Sequence, residues 1–161
     1  MISIREARLA DTATLVRLER EFDRDERHLT LEENPTLKPF LRTSNTRFST
    51  ARLHDWIRSR DALVLIAQAD SVPCGFSVTW IATSTGVCRP KRYGFIALMF
   101  MQRKHRGRTV RSFMRNEIFS WFTKRRIKNV CLTVMSDAKH ARRIYEKWGF
   151  GDFSTVMWKT G

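Results

Sequence analysis

One unit of this chain restricts its fold more than any other. Seven apolar residues in a row, Phe95 to Met101, lead directly into a basic turn, Gln102 to Gly107. The run extends back to Tyr93 and reads as a strand apolar on both faces. After the turn, Val110, Phe113, Met114, Ile118 and Phe122 recur at helical spacing, the mark of an amphipathic helix. A helix that starts behind a buried strand presents unpaired N–H groups and the positive end of its dipole, which suits phosphate. Arg103, Lys104, Arg106, Arg108 and Arg111 crowd this turn. A solvated basic turn would have the same composition, and the unit alone does not choose between the two.

The remaining segments read as follows. Ile2 to Ala7 alternates like a short strand, and Asp11 is placed to cap a helix carrying Leu15, Leu18 and Phe22. His28 to Thr50, with Pro35 and Pro39, reads as loop with room for a short helix, and Ala51 to Arg60 as a second helix. Leu63 to Ala67 is a strand, Asp70 to Gly75 a turn, and Phe76 to Ile81 the returning strand. Gly86 to Arg92 is a basic loop, and Asn129 to Met135 a further strand. Ala138, Ala141, Ile144, Tyr145 and Trp148 form one face of a short helix stopped by Gly149, and Thr155 to Trp158 reads as a last strand. The order β-α-α-β-β-β-α-β-α-β predicts an α/β chain with a mixed sheet. Without repeats or a Pro/Gly-rich linker, residues 1–161 read as one domain.

Several classes are excluded. The longest apolar run is far below the ~20 residues of a membrane helix. The first residues lack the basic start and apolar stretch of a signal peptide. Cys74, Cys88 and Cys131 are odd in number and widely spaced, which predicts reduced thiols in a cytoplasmic protein, with Cys131 buried in its strand. His28, His54, His105 and His140 have no metal-ligand spacing, so no metal is expected.

The chain resembles the GNAT superfamily of acyl-CoA N-acyltransferases over nearly its whole length. Ile2-Ser-Ile-Arg-Glu-Ala-Arg-Leu-Ala-Asp11 is similar to the family's first strand and helix entry. Met101-Gln-Arg-Lys-His-Arg-Gly-Arg-Thr-Val110 is similar to the end of its fourth strand and its pyrophosphate loop. Ala138-Lys-His-Ala-Arg-Arg-Ile-Tyr-Glu-Lys-Trp-Gly-Phe150 is similar to its Asn-x-x-Ala-x-x-x-Tyr-Glu-Lys-x-Gly-Phe segment, with Ala141, Tyr145, Glu146, Lys147, Gly149 and Phe150 in register. The sequence departs where the loop has Thr109 and Arg111 in place of two small residues, and where Ala138 replaces Asn.

The resemblance implies a GNAT-like fold with splayed fourth and fifth strands, acetyl-CoA as acyl donor, and direct attack by a primary amine. Donor-binding residues would be Met99, Phe100, Met101, Arg106, Gly107, Arg108, Thr109, Val110, Arg111 and Ala138. Tyr145 would protonate the departing thiolate. Relatives that acetylate protein N-termini carry a Glu base on the fifth strand, where Thr133 stands here. His28, Glu32 and Glu33 are the candidates on the acceptor side, along with a bound water.

Charge adds a partner question. Residues 1–88 hold 12 basic and 12 acidic residues, whereas residues 89–161 hold 18 and 4. Arg103 to Lys128 alone has ten cations and one acid, Glu117, more than the ~4 phosphate charges of coenzyme A require. The surplus suits either solvated helix surface or RNA or ribosome phosphates. Glu19 to Glu33, with seven acids and three arginines, would favour a cationic amine. Three functions follow: an acetyltransferase for a protein, peptide or small amine; one for an RNA- or ribosome-bound amine; or a non-catalytic binding or regulatory protein of the same fold. The acceptor, the acyl chain length and the oligomeric state stay open.

Overall fold

The computed structural model describes residues 1–33, 49–84, 91–136 and 138–157. Five strands form one sheet in sequence order: β1 (Ile2–Glu6), β2 (Ala62–Ala69), β3 (Val72–Thr83), β4 (Arg92–Met101) and β5 (Val130–Leu132). The first four pair antiparallel, and β5 runs parallel to β4. The helices are α1 (Thr12–Glu33), α2 (Thr50–Arg58), α3 (Arg108–Lys124) and α4 (Lys139–Lys147). This mixed α/β architecture matches the order expected from the sequence, apart from the last strand. None of the described helices is long and apolar enough to cross a membrane.

The sheet has a core on each side. Leu63, Leu65 and Ala67 of β2 point to α3, where they meet Met114, Ile118 and Phe122. The alternate residues Val64 and Ile66 point to Leu15, Leu18 and Leu53 of α1 and α2. This is the period-2 consequence of an apolar strand covered on both faces.

A bulge in β4 sets up the site. Val78 pairs with Leu98 but Thr79 pairs with Ile96, so Ala97 is an extra residue. The inserted residue reverses the facing of the strand. Ile96 packs in the α3 cluster, whereas Leu98 and Phe100 pack under α1 and α2. Before the bulge, Gly94 lies against α3, and a Cβ there would stand 2.4 Å from two ring atoms of Phe122. Phe122 is fully buried and has little room to yield. Gly94→Ala is therefore expected to cost about 1–3 kcal/mol through overpacking. Denaturant melts of the two proteins would measure it; equal midpoints would reject this contact.

Several boundaries differ from the sequence reading. Residues 28–33 belong to α1 rather than to a loop. Asp11 does not cap α1. It closes a 3-10 turn, Leu9–Asp11, accepting from the Arg8 N–H at 2.7 Å and from both ends of the Arg5 guanidinium at 2.8 Å. The β2–β3 turn is only Asp70 and Ser71, both with positive φ, as a two-residue hairpin needs. β5 is three residues long, because its ladder to β4 ends at Ile96–Leu132, where the bulge bends β4 away. Cys131, expected to be buried, is exposed, since this short strand has β4 on one side only. Thr155 to Met157 form no strand, and Val156 and Met157 are 74% and 89% exposed. The basic loop over residues 85–90, Cys88, Trp158 and the segment 34–48 lie outside the described residues.

Candidate active site

Beyond Ile96, β4 runs on for five residues to Met101, while β5 stops at Leu132. Among the described residues the ladder between the two strands ends at Ile96–Leu132, so the backbone of Ala97 to Met101 has no β5 partner on that side. The side chains of Phe100 and Met101 are in the two cores. What these residues offer a ligand on the open side is main chain.

At the end of β4 the chain makes a 3-10 turn, Arg103–His105, and enters α3 with Gly107 at the N-cap. The first bond of the helix is Arg111 N–H to the Gly107 carbonyl, at 3.4 Å. The amides of Arg108, Thr109 and Val110 precede it and have no partner within the helix, as in any first turn. Thr109 is exposed and Val110 buried. Arg111 is half-buried, and its Nε is enclosed without a hydrogen-bond partner among the described residues. An orphaned donor beside three free amides is the chemistry of an anion site. The Arg108 side chain lies outside those described.

Arg106 is already committed. Its Nε donates to the Met101 carbonyl at 2.8 Å, its Nη2 to Asp25 of α1, and its guanidinium lies 5.8 Å from the Phe100 ring centroid. One helical turn back, Glu21 accepts from Gln102 Nε2 at 2.7 Å. Two links four residues apart thus tie α1 to the turn. Between them opens a cleft of about 440 Å3 lined by Glu21, Arg24, Asp25, Phe100, Gln102, Arg103 and Lys104. Arg106 is therefore a strut for the turn, Arg103 Nε lies 3.7 Å from the same Asp25, and the amides of His105, Arg106 and Gly107 bond within the turn, so the groups offered to an anion are the first-turn amides of α3.

Tyr145 lies in the last turn of α4, half-buried against Trp148 and Phe150, at 5.6 and 6.1 Å between ring centroids. Burial, and after it the negative charge of Glu26 on α1, raise its phenol above the ordinary tyrosine pKa. The group is therefore protonated at neutral pH, the state a proton donor needs. Gly149, with φ +91°, ends α4 and turns Phe150 back onto Phe119 of α3.

The family model for GNAT acetyltransferases matches residues 15–150. The chain belongs to the GNAT acetyltransferase family. Solved structures agree on the fold. A Bacillus halodurans protein (BH1408) superposes with a TM-score of 0.79 at 16% identity, covering 98% of this chain and 99% of its own. A Clostridium acetobutylicum protein described as a predicted acetyltransferase with acetyl-CoA gives 0.71 at 20%, covering 99% and 96%. A ribosomal-protein-alanine N-acetyltransferase from Brucella melitensis gives 0.66 at 16%, covering 99% of each. No curated protein sequence matches the chain.

Within this GNAT fold the other candidates fall as follows. Ala138 is the N-cap of α4, without a side chain to cap it. Met99 is half-buried on the α3 side of β4. Thr133 is exposed just past β5. His28 and Glu32 lie on α1, exposed, with His28 Nε2 3.1 Å from Glu32 Oε1, and the Glu33 side chain lies outside those described. The carboxylate whose charge reaches Tyr145 is Glu26, which sequence reasoning missed, together with Glu21, Asp25 and Gln102. The available signal was the four-residue spacing of Glu21 and Asp25, matched by that of Gln102 and Arg106.

Proposed function

We propose that this protein transfers an acetyl group from acetyl-CoA to a primary amine, on a protein or peptide N-terminus, a lysine or a small molecule. The observation that carries the reading is the unpaired edge of β4 beyond Ile96, followed by a turn into the first-turn amides of α3 and an orphaned Arg111 Nε. Main chain at Met99 to Met101 would pair with the pantetheine amides. The amides of Arg108 to Val110, with the Arg111 side chain, would receive the pyrophosphate, the Gly107 N–H being donated to the His105 carbonyl at 2.7 Å, and Ala138 would border the pantetheine arm. The acceptor's lone pair adds to the thioester carbonyl, the C–S bond breaks, Tyr145 gives its proton to the sulfur, and the proton lost by the amine to water is returned through solvent to the Tyr145 oxygen. The acidic face of α1, with Glu21 and Asp25 in the cleft, favours a cationic acceptor. Neighbours of the same fold include an aminoglycoside acetyltransferase, AAC(6')-Iy, in complex with a bisubstrate analogue, and the ribosomal-protein-alanine enzyme. The proposal includes a cytoplasmic location and a single domain over residues 1–161. A non-catalytic reading is favoured by one observation, the commitment of Arg106 to Asp25 and Met101.

Calorimetry with acetyl-CoA separates the two readings. The wild type is expected to bind, and Thr109→Asp to bind at least tenfold more weakly. A carboxylate in the first turn of α3 stabilises the helix by about 0.3–1 kcal/mol yet occupies the anion site, so the variant stays folded. No heat with wild type at high micromolar protein would leave the non-catalytic reading.

A further inference from the structure

We propose that the end of the molecule opposite the coenzyme turn binds the phosphate backbone of a nucleic acid. The proposal goes beyond acetyl transfer and does not depend on it. The basic half of the chain is divided by the fold. One cluster surrounds the turn after Met101. The other forms where the end of α3 meets the starts of β2, β4 and β5. There Arg125 Nε donates to the Arg60 carbonyl at 3.2 Å, Arg92 lies 3.8 Å from Asp61, and Gly94 N–H bonds Asn129 O at 2.8 Å. These contacts gather Arg60, Arg92, Lys124, Arg125, Arg126 and Lys128, all exposed, with Asp61 paired to Arg92 among the described residues.

Distance separates this cluster from the donor site. Arg92 and Met101 are the two ends of β4, about 30 Å apart at the usual rise of a strand. The 17 residues of α3 span about 25 Å between the same two ends. All the phosphate charge of an acyl-CoA lies on its nucleotide half, and its pantetheine arm is neutral. A donor held at the turn therefore leaves the second cluster without a counterion.

The cluster also has built features. Arg125 lies 4.2 Å from the Trp121 ring centroid while its Nε is tied to Arg60, so its fork is oriented before any ligand arrives. An oriented guanidinium suits bidentate phosphate recognition. Arg126 has φ +59°, a conformation in which glycine would be cheaper, so an arginine is held there against backbone strain. The exposed large apolar residues among those described, such as Phe113, Met135 and Phe153, lie outside this cluster. A basic patch without an apolar wedge fits nucleic acid better than a membrane surface.

The test is anisotropy of a labelled uridine RNA of roughly 20 nucleotides, from ~50 to ~200 mM salt. Wild type is expected to show a log–log salt slope of about −4, six cations at −0.7 per contact. Arg125→Ala with Arg126→Gly is expected to bind at least tenfold more weakly and to lose about 1.4 from the slope. Its melting temperature should not fall by more than the Arg125 contacts account for, because glycine relieves strain at position 126. Arg126→Gly alone should melt higher and still bind more weakly, a combination that a structural arginine would not give. Thr109→Asp and saturating acetyl-CoA should each leave RNA binding within about twofold. The proposal is overturned if acetyl-CoA displaces the RNA, if the double variant binds like wild type, or if phosphatidylserine vesicles compete it away at equal phosphate.

Discussion

Tyr145→Phe is expected to lower the turnover of acetyl transfer by about a hundredfold, at the lower end of general-acid effects. The change removes one oxygen and leaves the ring on Trp148 and Phe150, so acetyl-CoA affinity should stay within about twofold. Reported as kcat and KM separately, the loss belongs in kcat. Equal turnover would remove Tyr145 from the mechanism while leaving the donor site intact. The phenol supplies a second, independent readout. Its folded-state pKa lies above its unfolded value of about 10, so between the two the folded state holds the proton that the unfolded state has lost. Stability must therefore fall as pH rises above about 10, and more steeply in wild type than in Tyr145→Phe. Identical alkaline unfolding profiles would mean that the hydroxyl is not in a desolvating site. The second cause of the shift, Glu26, gives a gradation: Glu26→Gln should reduce the alkaline penalty without abolishing it, because burial is the larger cause.

The elements that sequence reasoning placed correctly are those whose pattern is local. The apolar run of β4, the 3.6-residue repeat of α3 and the hydrophobic face of α4 each carry their own periodicity. What escaped is non-local. Nothing in Phe95 to Met101 marks Ala97 as the bulge, since that depends on the register with β3. The shortness of β5 follows from where its ladder to β4 ends, at the bulge. The site shows the same division. The Tyr145 motif and the basic turn were legible as strings of residues. The role of Arg106 was not, because its partner Asp25 is 81 residues away on a helix read for its apolar face. Over His28 to Glu33 the composition points to loop with room for a short helix, yet no breaker precedes Pro35 and α1 runs on through these residues. Charge was the coarsest signal, since a sum over half the chain merges two clusters that the fold sets at opposite ends of one strand.

Phe122→Ala is expected to be the most destabilising of these changes, costing about 3–5 kcal/mol. The ring is fully buried, packed edge-on to Trp121 at 5.2 Å, with its Cε1, Cζ and Cε2 atoms occupying the space a Cβ at Gly94 would need. Its loss opens a cavity in the α3 core beside a strand that pairs on both sides and cannot move in to fill it. For a chain of this length the midpoint of thermal unfolding should drop by about 10 °C. Phe113→Ala on the same helix is the control. That ring is 45% exposed, so the same change should cost only about 1 kcal/mol or less. The decisive measurement is the pair with Gly94. If the ring fits position 94 because glycine leaves the space, then Gly94→Ala should be harmful in the wild type and nearly neutral beside Phe122→Leu. The cycle should then show a coupling of at least about 1 kcal/mol. Additive losses would mean that the strand and the ring are independent. The start of β4 would then not be seated on α3, and the end of its ladder to β5 would lose its mechanical footing.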